Sequence, residues 1–250
     1  MTALSFTVAD WRAWAPGLET HEAWLNWAGR AQADSDSVAG REWTVTALPT
    51  MLRRRIGALA QRAISAALDC EAAEQSRYIF ASRHGELDRT VRILASIAAD
   101  ETPSPTEFSM SVHHALAGLL SIHTGNRQGH TAVAGGVDTF GFGFMEAAAY
   151  IAAEAKPALL VYYDSTLPDD YRALDAANDA LPLIVAVRLE PADSRKPRYA
   201  FAPSPTAAAS GQAGVSTTAA PLDFLRFLLT GEATAVSVGR RMTWRWLRAD

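Results

Sequence analysis

Only one of the 250 residues is a cysteine, Cys70. A single thiol excludes an internal disulfide framework and any metal site built from cysteines alone. Cys70 is also badly placed to react. It stands between Asp69 and Glu71 on the apolar side of a helical stretch, and a reactive thiolate needs positive charge and exposure instead. Histidine is nearly as scarce, with six in all and the last at His130. No HxxxH or HExxH spacing occurs, so no zinc-type pair is presented on one helix face. GxSxG is missing, which leaves a serine-hydrolase elbow unsupported. No apolar run reaches the roughly 18 residues of a spanning helix. The opening MTALSFTVADWRAW carries Asp10 early and no basic stretch before an apolar core, so no signal peptide is expected, and the cytosol is the expected compartment. Excess positive charge is absent as well. A net charge of −4 and a pI near 5.9 argue against a general nucleic-acid binder.

What remains is the composition of a soluble globular chain, 49% hydrophobic and 20% charged. Its length suits one large domain or two small ones, with roughly 70% or more of the unfolded surface buried. Leu4 to Val8 reads as a short strand and Glu19 to Gly29 as a helix. Trp11, Trp14, Trp24, Trp27 and Trp43 crowd the first 45 residues, and large aromatics of this kind mostly anchor cores and interfaces. Leu52 to Cys70 keeps helical spacing through Leu52, Ile56, Leu59, Ala63, Ala66 and Ala67. Arg53, Arg54 and Arg55 cluster at its start, with Arg62 a few turns on. Such a cluster is ordinarily a solvated face. Here it opposes the helix dipole at about 0.3–1 kcal/mol per exposed charge, which keeps a second reading, contacts for an acidic phosphopantetheine carrier, beside the solvated face. Tyr78 to Ser82, Ala158 to Tyr163 and Leu183 to Leu189 are buried-type strands, with helices at Glu86 to Ala99 and near Asp170 to Asn178. The alternation predicts parallel βαβ units. Residues 191–221 are rich in Pro, Ala, Ser, Thr and Gly and read as a loop or linker, with Tyr199 to Ala202 as an edge strand; Leu222 to Leu229 is a short helix and the tail ends in a strand.

The rest of the chain is organised around Ser104 to Ala147. Pro103 and Pro105 mark its entry, an apolar helix runs from Ala115 to Ile122, and Gly125 ends it. Thr131 to Ala134 is β-like, Gly135-Gly136 turns the chain, and a second helix of small residues starts near Thr139. Strand, glycine turn, helix start is the geometry in which α/β enzymes present a nucleophile. Nothing in this turn can attack. Gly135, Gly136, Gly141 and Gly143 do not fit GxGxxG and read as close packing or a backbone turn. His113 and His114 are adjacent, so on a helix they point about 100° apart; backbone-bonded structural histidines are the expectation.

The stretch PSPTEFSMSVHHALAGLLSIHTGNRQGHTAVAGG, the helix ending EAAAYI and the upstream FASRHGEL resemble the N-terminal half of the β-ketoacyl synthases. The resemblance covers roughly residues 1–190 and is most specific over 104–150. It implies a truncated thiolase-like fold of the α/β class: mostly one βαβαβ half, with a mixed sheet and helices on both faces. Residues 1–190 would form the ketoacyl-synthase-like domain and 191–221 a linker. Residues 222–250 would pack a helix and strand back on the same domain.

In that family the turn after the strand carries a catalytic cysteine, and two histidines come from the C-terminal half. Here the matching position is Val137, between Gly136 and Asp138, and no histidine follows His130. The pattern resembles the chain length factors, cysteine-free partners of an active ketosynthase, and most of all the small form found with aryl polyene synthases. The implied assembly is a heterodimer, or a heterotetramer, that an acyl carrier protein visits transiently, with Arg53, Arg54 and Arg55 as its contact. No cofactor, metal, nucleic acid or membrane span is implied. In the family the strand before the turn pairs across the dimer axis, which here would be His130, Thr131, Ala132, Val133 and Ala134. Phe108, Met110 and Val112 would reach the partner's acyl tunnel. Two rivals stand beside this reading. One is an independent acyl-transfer or thioester-hydrolysing enzyme using Asp138 with His113 or His114. The other is a stand-alone carrier-protein-binding module.

Overall fold

The computed structural model describes residues 3–29, 48–174, 181–193, 195–206 and 218–249. Its frame is one long mixed sheet. In chain order it comprises β1 (Leu4–Trp14), β2 (Arg77–Ala81), β3 (His130–Val133), β4 (Ala158–Asp164), β5 (Leu183–Glu190), β6 (Arg198–Phe201), β7 (Ser204–Pro205), β8 (Thr234–Val238) and β9 (Met242–Ala249). Their spatial order is β3-β2-β4-β5-β1-β6-β9-β7, with β8 paired to β9. β2 lies between β3 and β4 and runs parallel to both, whereas every other ladder is antiparallel.

β4 is buried at all seven positions and β5 at all but its last. Continuous apolar runs such as ALLVYY and LIVAV suit strands that are covered on both faces. One face carries α3 (Ala58–Asp69) and α6 (Ala115–Thr124), which pack on Tyr78, Phe80, Val161 and Ala186. The other carries α7 (Thr139–Glu154). This helix presents Phe140, Phe144, Ala147, Ala148 and Ile151 to the sheet. Two glycines let it come close: a Cβ on Gly143 would lie 2.8 Å from Ala81 Cβ, and one on Gly141 would lie 2.1 Å from the Trp244 ring. The far side of α7 is closed by α8 (Ala219–Thr230) and by the β6–β9 part of the sheet, through the fully buried Phe201, Phe224, Trp244 and Trp246.

β1 joins the two parts. Its first residues, Leu4 to Phe6, pair with β6, and Thr7 to Trp14 pair with β5. The pairing register shifts between Val8 and Asp10. Asp10 Oδ2 accepts the Glu71 N–H at 3.0 Å, while Arg12 pairs with Asp10 and donates to the Asp69 carbonyl. The Arg12 terminal nitrogens and the Asp10 carboxylate are matched by each other and by the backbone, which makes the charges tolerable inside the sheet, while Arg12 Nε is buried without a hydrogen-bond partner.

α1 (His21–Trp27) and α4 (Leu87–Ala98) lie within the helices expected at 19–29 and 86–99, but several expectations change. The helix predicted over Leu52 to Cys70 is two: α2 (Thr50–Arg53) ends at Arg54, and α3 starts after Gly57. Tyr199 is not at an edge, because β6 lies between β1 and β9. The predicted linker 191–221 therefore contains β6, β7 and the start of α8, leaving 194 and 207–217 outside the described residues. The expected helix near 170 is a 3-10 turn, Asp169–Leu174. Its predicted remainder up to 178 lies outside the described residues, as does Trp43. Trp11, Trp14 and Trp24 are buried, as core residues should be, and Cys70 is a buried free thiol whose pKa desolvation pushes well up.

Candidate functional site

The C-terminal ends of β2, β3 and β4 converge on one side of the sheet, where open α/β sheets place ligands. β3 runs into a 3-10 turn, Gly136–Asp138, and straight on into α7. Gly136 has φ +66°, and a Cβ on Gly135 would strike the Phe142 ring at 2.5 Å, so both positions call for glycine. Thr139 Oγ1 locks the turn by accepting the Gly135 N–H at 2.9 Å and donating to the Gly136 carbonyl at 2.7 Å. Val137 is half-buried at the crest. Thr139 supplies the nearest hydroxyl, but it is buried and engaged in those two bonds.

Neither hydrogen-bond partner of the Asp138 carboxylate is a histidine. Its Oδ2 accepts the Arg241 N–H at 2.9 Å, and its Oδ1 accepts the Trp244 indole N–H at 3.3 Å. A Cβ on Gly239 would lie 1.7 Å from that Oδ1. The carboxylate is therefore a buried tie between the start of α7 and the β8–β9 turn. Removing it leaves the buried Trp244 indole N–H and the part-buried Arg241 N–H without an acceptor, so Asp138→Ala is expected to destabilise the chain by about 2 kcal/mol in urea denaturation.

The expected histidine pair separates. The His113 ring packs against Gly85, and its Nε2 is buried without a hydrogen-bond partner, rather than bonded to backbone as expected. His114 is exposed and lies 5.4 Å, centroid to centroid, from His130. Burial, with His114 and Arg77 adding to it, lowers the His130 pKa.

β3 is an edge strand. β2 pairs with one side of it, and no described strand pairs with the other. The Tyr78 N–H bonds to Gly129 and the Ser82 N–H to Val133, so by alternation the backbone groups of Ala132 point to the open side. All four residues of β3 are partly exposed. Beside this edge Val133, Ala134 and Gly135 meet Phe142, Met145 and Arg241 in an open cleft of ≈ 380 Å³.

Of the expected tunnel residues, Phe108 and Val112 are 65% and 49% exposed, but Met110 is buried. It ends α5 (Pro105–Met110) and turns into the core with Leu116 and Leu120, so it cannot reach a partner. Arg53, Arg54 and Arg55 are exposed. The Arg55 carbonyl is held by Arg89, which also pairs with Glu86 and Glu107.

Asp164, at the end of β4, was not singled out from sequence. Burial raises its pKa to about 7 against the opposing pull of Arg83, and the Tyr162 hydroxyl donates to it at 3.5 Å. An acid whose pKa rises on folding destabilises the fold increasingly as pH climbs from its unfolded value, near 4, towards the folded one. Asp164→Asn is thus expected to stabilise the chain more at pH 8 than at pH 5, by about 2 kcal/mol in paired urea melts. An equal effect at both pH values would contradict this. Among the described residues no cluster of three metal-ligating side chains occurs, and no helix is long and apolar enough to cross a membrane.

The family model for the β-ketoacyl synthase N-terminal domain matches residues 24–247. A search of curated proteins finds no match. Among solved structures, a chain of the ketosynthase (ApeO) in complex with its chain length factor (ApeC) from Xenorhabdus doucetiae is 31% identical. That match covers 98% of this chain and 100% of the other, with a TM-score of 0.80. A β-ketoacyl synthase from Burkholderia phymatum shares the fold at 14% identity, covering 93% of this chain and 71% of its own, with a TM-score of 0.59. The ishigamide ketosynthase/chain length factor does so at 16% identity, over 83% and 65%, with a TM-score of 0.56. The mixed sheet flanked by helices is thiolase-like, and the chain belongs to the β-ketoacyl synthase N-terminal-domain family.

Proposed function

We propose that this chain is the non-catalytic chain length factor of a ketosynthase heterodimer. The observation that carries the reading is the turn after β3. It keeps the strand–turn–helix geometry of a nucleophile site and places Val137, which has no nucleophilic atom, at its crest. The open edge of β3 supports the second half of the reading. Its partly exposed residues and outward backbone groups form a pairing template, flanked by the apolar cleft along α7. A partner seated there would bury upwards of about 2,000 Å², as obligate pairs do. Full-length coverage of a chain from a ketosynthase–chain length factor complex points the same way.

In this assembly the partner ketosynthase holds the thiol and imidazoles. This chain completes the shared sheet and offers Phe108 and Val112 from around α5 to the acyl tunnel. An exposed aromatic ring there limits tunnel length. Phe108→Ala is expected to lengthen the product by one or more condensation rounds, read by mass spectrometry of the released chain. Unchanged product length would remove Phe108 from that role. Arg53, Arg54 and Arg55 remain the proposed contact for the acidic carrier protein, through an attraction that salt should weaken.

The deciding experiment is co-expression with a cysteine-bearing ketosynthase from the same genome, followed by native mass determination. A one-to-one complex is expected, with condensation activity lost when the ketosynthase cysteine is replaced. A chain that stays apart from the synthase, or that turns over acyl thioesters alone, would end the proposal. The rival that makes Asp138 a base is disfavoured, because both carboxylate oxygens already accept hydrogen bonds and neither donor is histidine.

A further inference from the structure

The sheet has a second open end. β8 pairs with β9 and with no other described strand. The Gly239 N–H bonds to the Met242 carbonyl and the Arg248 N–H to the Ala233 carbonyl. By alternation, the backbone groups of Ala235 and Ser237 face β9, and those of Thr234, Val236 and Val238 face outward. The side chains of those same three residues lie on the solvent face, where Val236 is 47% and Val238 49% exposed. Arg245 sits directly opposite Val236 in the ladder and is exposed on that face. Arg240 and Arg241, in the turn, are exposed as well.

Residues 234–249 contain four arginines and no Asp or Glu, in a chain of net charge −4. Arg248 is used internally, on the Tyr199 hydroxyl and the Glu232 and Leu228 carbonyls. Arg240, Arg241 and Arg245 have no ion-pair partner among the described residues. Arg241 lies over the Phe142 ring at 6.0 Å.

We propose that the β8 edge is a docking strand for an extended acidic segment of another protein. The segment adds to β8 through the outward backbone groups of Val236 and Val238, the mode of strand addition in which main-chain bonds give affinity and alternate side chains give specificity. Its apolar residues cover the two valines, and its carboxylates meet the arginines, whose planar guanidinium suits bidentate pairing. A second copy pairing antiparallel through β8 would set Arg240 and Arg241 of each chain beside the Glu232 end of the other, so concentration-dependent self-association of the parent chain in place of peptide binding is the competing outcome and would overturn the proposal. A membrane surface fits poorly. The aromatic residues that anchor proteins at bilayer interfaces are here Trp244 and Trp246, both fully buried on the inner face. Arg241 also lines the cleft beside the β3 edge, so the part of this site that is independent of the ketosynthase reading is β8 with Arg240 and Arg245. The plainer account is that the arginines only guard an exposed edge against self-pairing.

The test is fluorescence anisotropy of a labelled alternating Glu-Val peptide titrated with the full chain. Saturable, salt-sensitive binding is expected. It should weaken about tenfold or more in the combined R240E, R241E, R245E variant and in Val236→Pro, which removes an outward N–H without breaking the β9 ladder. A Lys-Val peptide should not bind. Circular dichroism verifies that each variant is folded, and Arg245→Gln alone should give a smaller loss if the triple variant is not. Four further outcomes would overturn the proposal: no saturable binding, equal binding of the Lys-Val peptide, binding indifferent to these variants, or sedimentation with phosphatidylglycerol vesicles while the peptide is ignored. Self-association of the triple variant without peptide binding by the parent chain would establish the guarding role instead.

Discussion

Ala132→Pro is expected to separate the chain from its ketosynthase while leaving the chain itself folded. The two results divide because β3 uses alternate residues for its two sides. Gly129 and Val133 accept from β2, so the Ala132 N–H is not part of that ladder. Proline is tolerated in an edge strand when the missing N–H faces outward, and Thr131 before it is already extended. Across the open side the same proline removes a donor and thrusts its ring into the space of an incoming strand. Losing a few cross-subunit hydrogen bonds, each worth about 1 kcal/mol net, weakens association by about 100-fold or more. Ala132→Thr, which keeps the N–H, should bind nearly normally. A proline variant that is folded by circular dichroism yet still co-elutes with the synthase would show that the subunits meet elsewhere.

Gly141→Ala should be among the most damaging single-methyl changes in the protein. In an ordinary helix, replacing glycine by alanine gains up to about 1 kcal/mol. At this position the new Cβ would lie within 2.5 Å of three atoms of the Trp244 ring. The ring has no easy retreat. It is fully buried, stacked on Phe201 at 6.0 Å, and its indole N–H is held by Asp138. Overpacking a core of this density costs about 1–3 kcal/mol and sometimes more, so steric cost outweighs helix propensity. A net loss of about 2 kcal/mol is expected, or a fall in Tm of roughly 4–8 °C for a chain of this size. A Tm that holds or rises would mean that α7 and the β9 tryptophan are not in register as described.

What could be read from sequence follows from how uniform each environment is. ALLVYY and LIVAV announced buried strands because both of their faces meet helices. The Val137 turn was legible because Gly135 and Gly136 are required by a close approach and a positive φ. The second half of β1 was not, since Asp10 and Arg12 look like loop residues until their pairing with each other and with the Asp69 and Glu71 backbone is seen. β6 looked peripheral because proline and serine flank it, and only its pairing with both β1 and β9 makes it internal. Met110 could not be told from Phe108 and Val112 by type, because only the orientation of the last residue of the short helix α5 turns it inward while Phe108, and Val112 beyond the helix, stay exposed. β8, with Thr234 and Ser237 interleaved among Ala and Val, carries too weak an alternation to stand out. Asp138 looked like a free carboxylate because the groups that occupy it lie about a hundred residues downstream.

The position of β1 between β5 and β6 sets an order on biosynthesis. Among the described strands β1 has no partner until residues 183–201 have been translated, and the outer cover of α7 comes later still, with α8 and then Trp244 and Trp246. Contacts of such long sequence separation form slowly. The nascent chain therefore carries β1 unpaired while about 170 residues are added, and α7 uncovered for the last part of that period and beyond it, the time in which aggregation competes with folding.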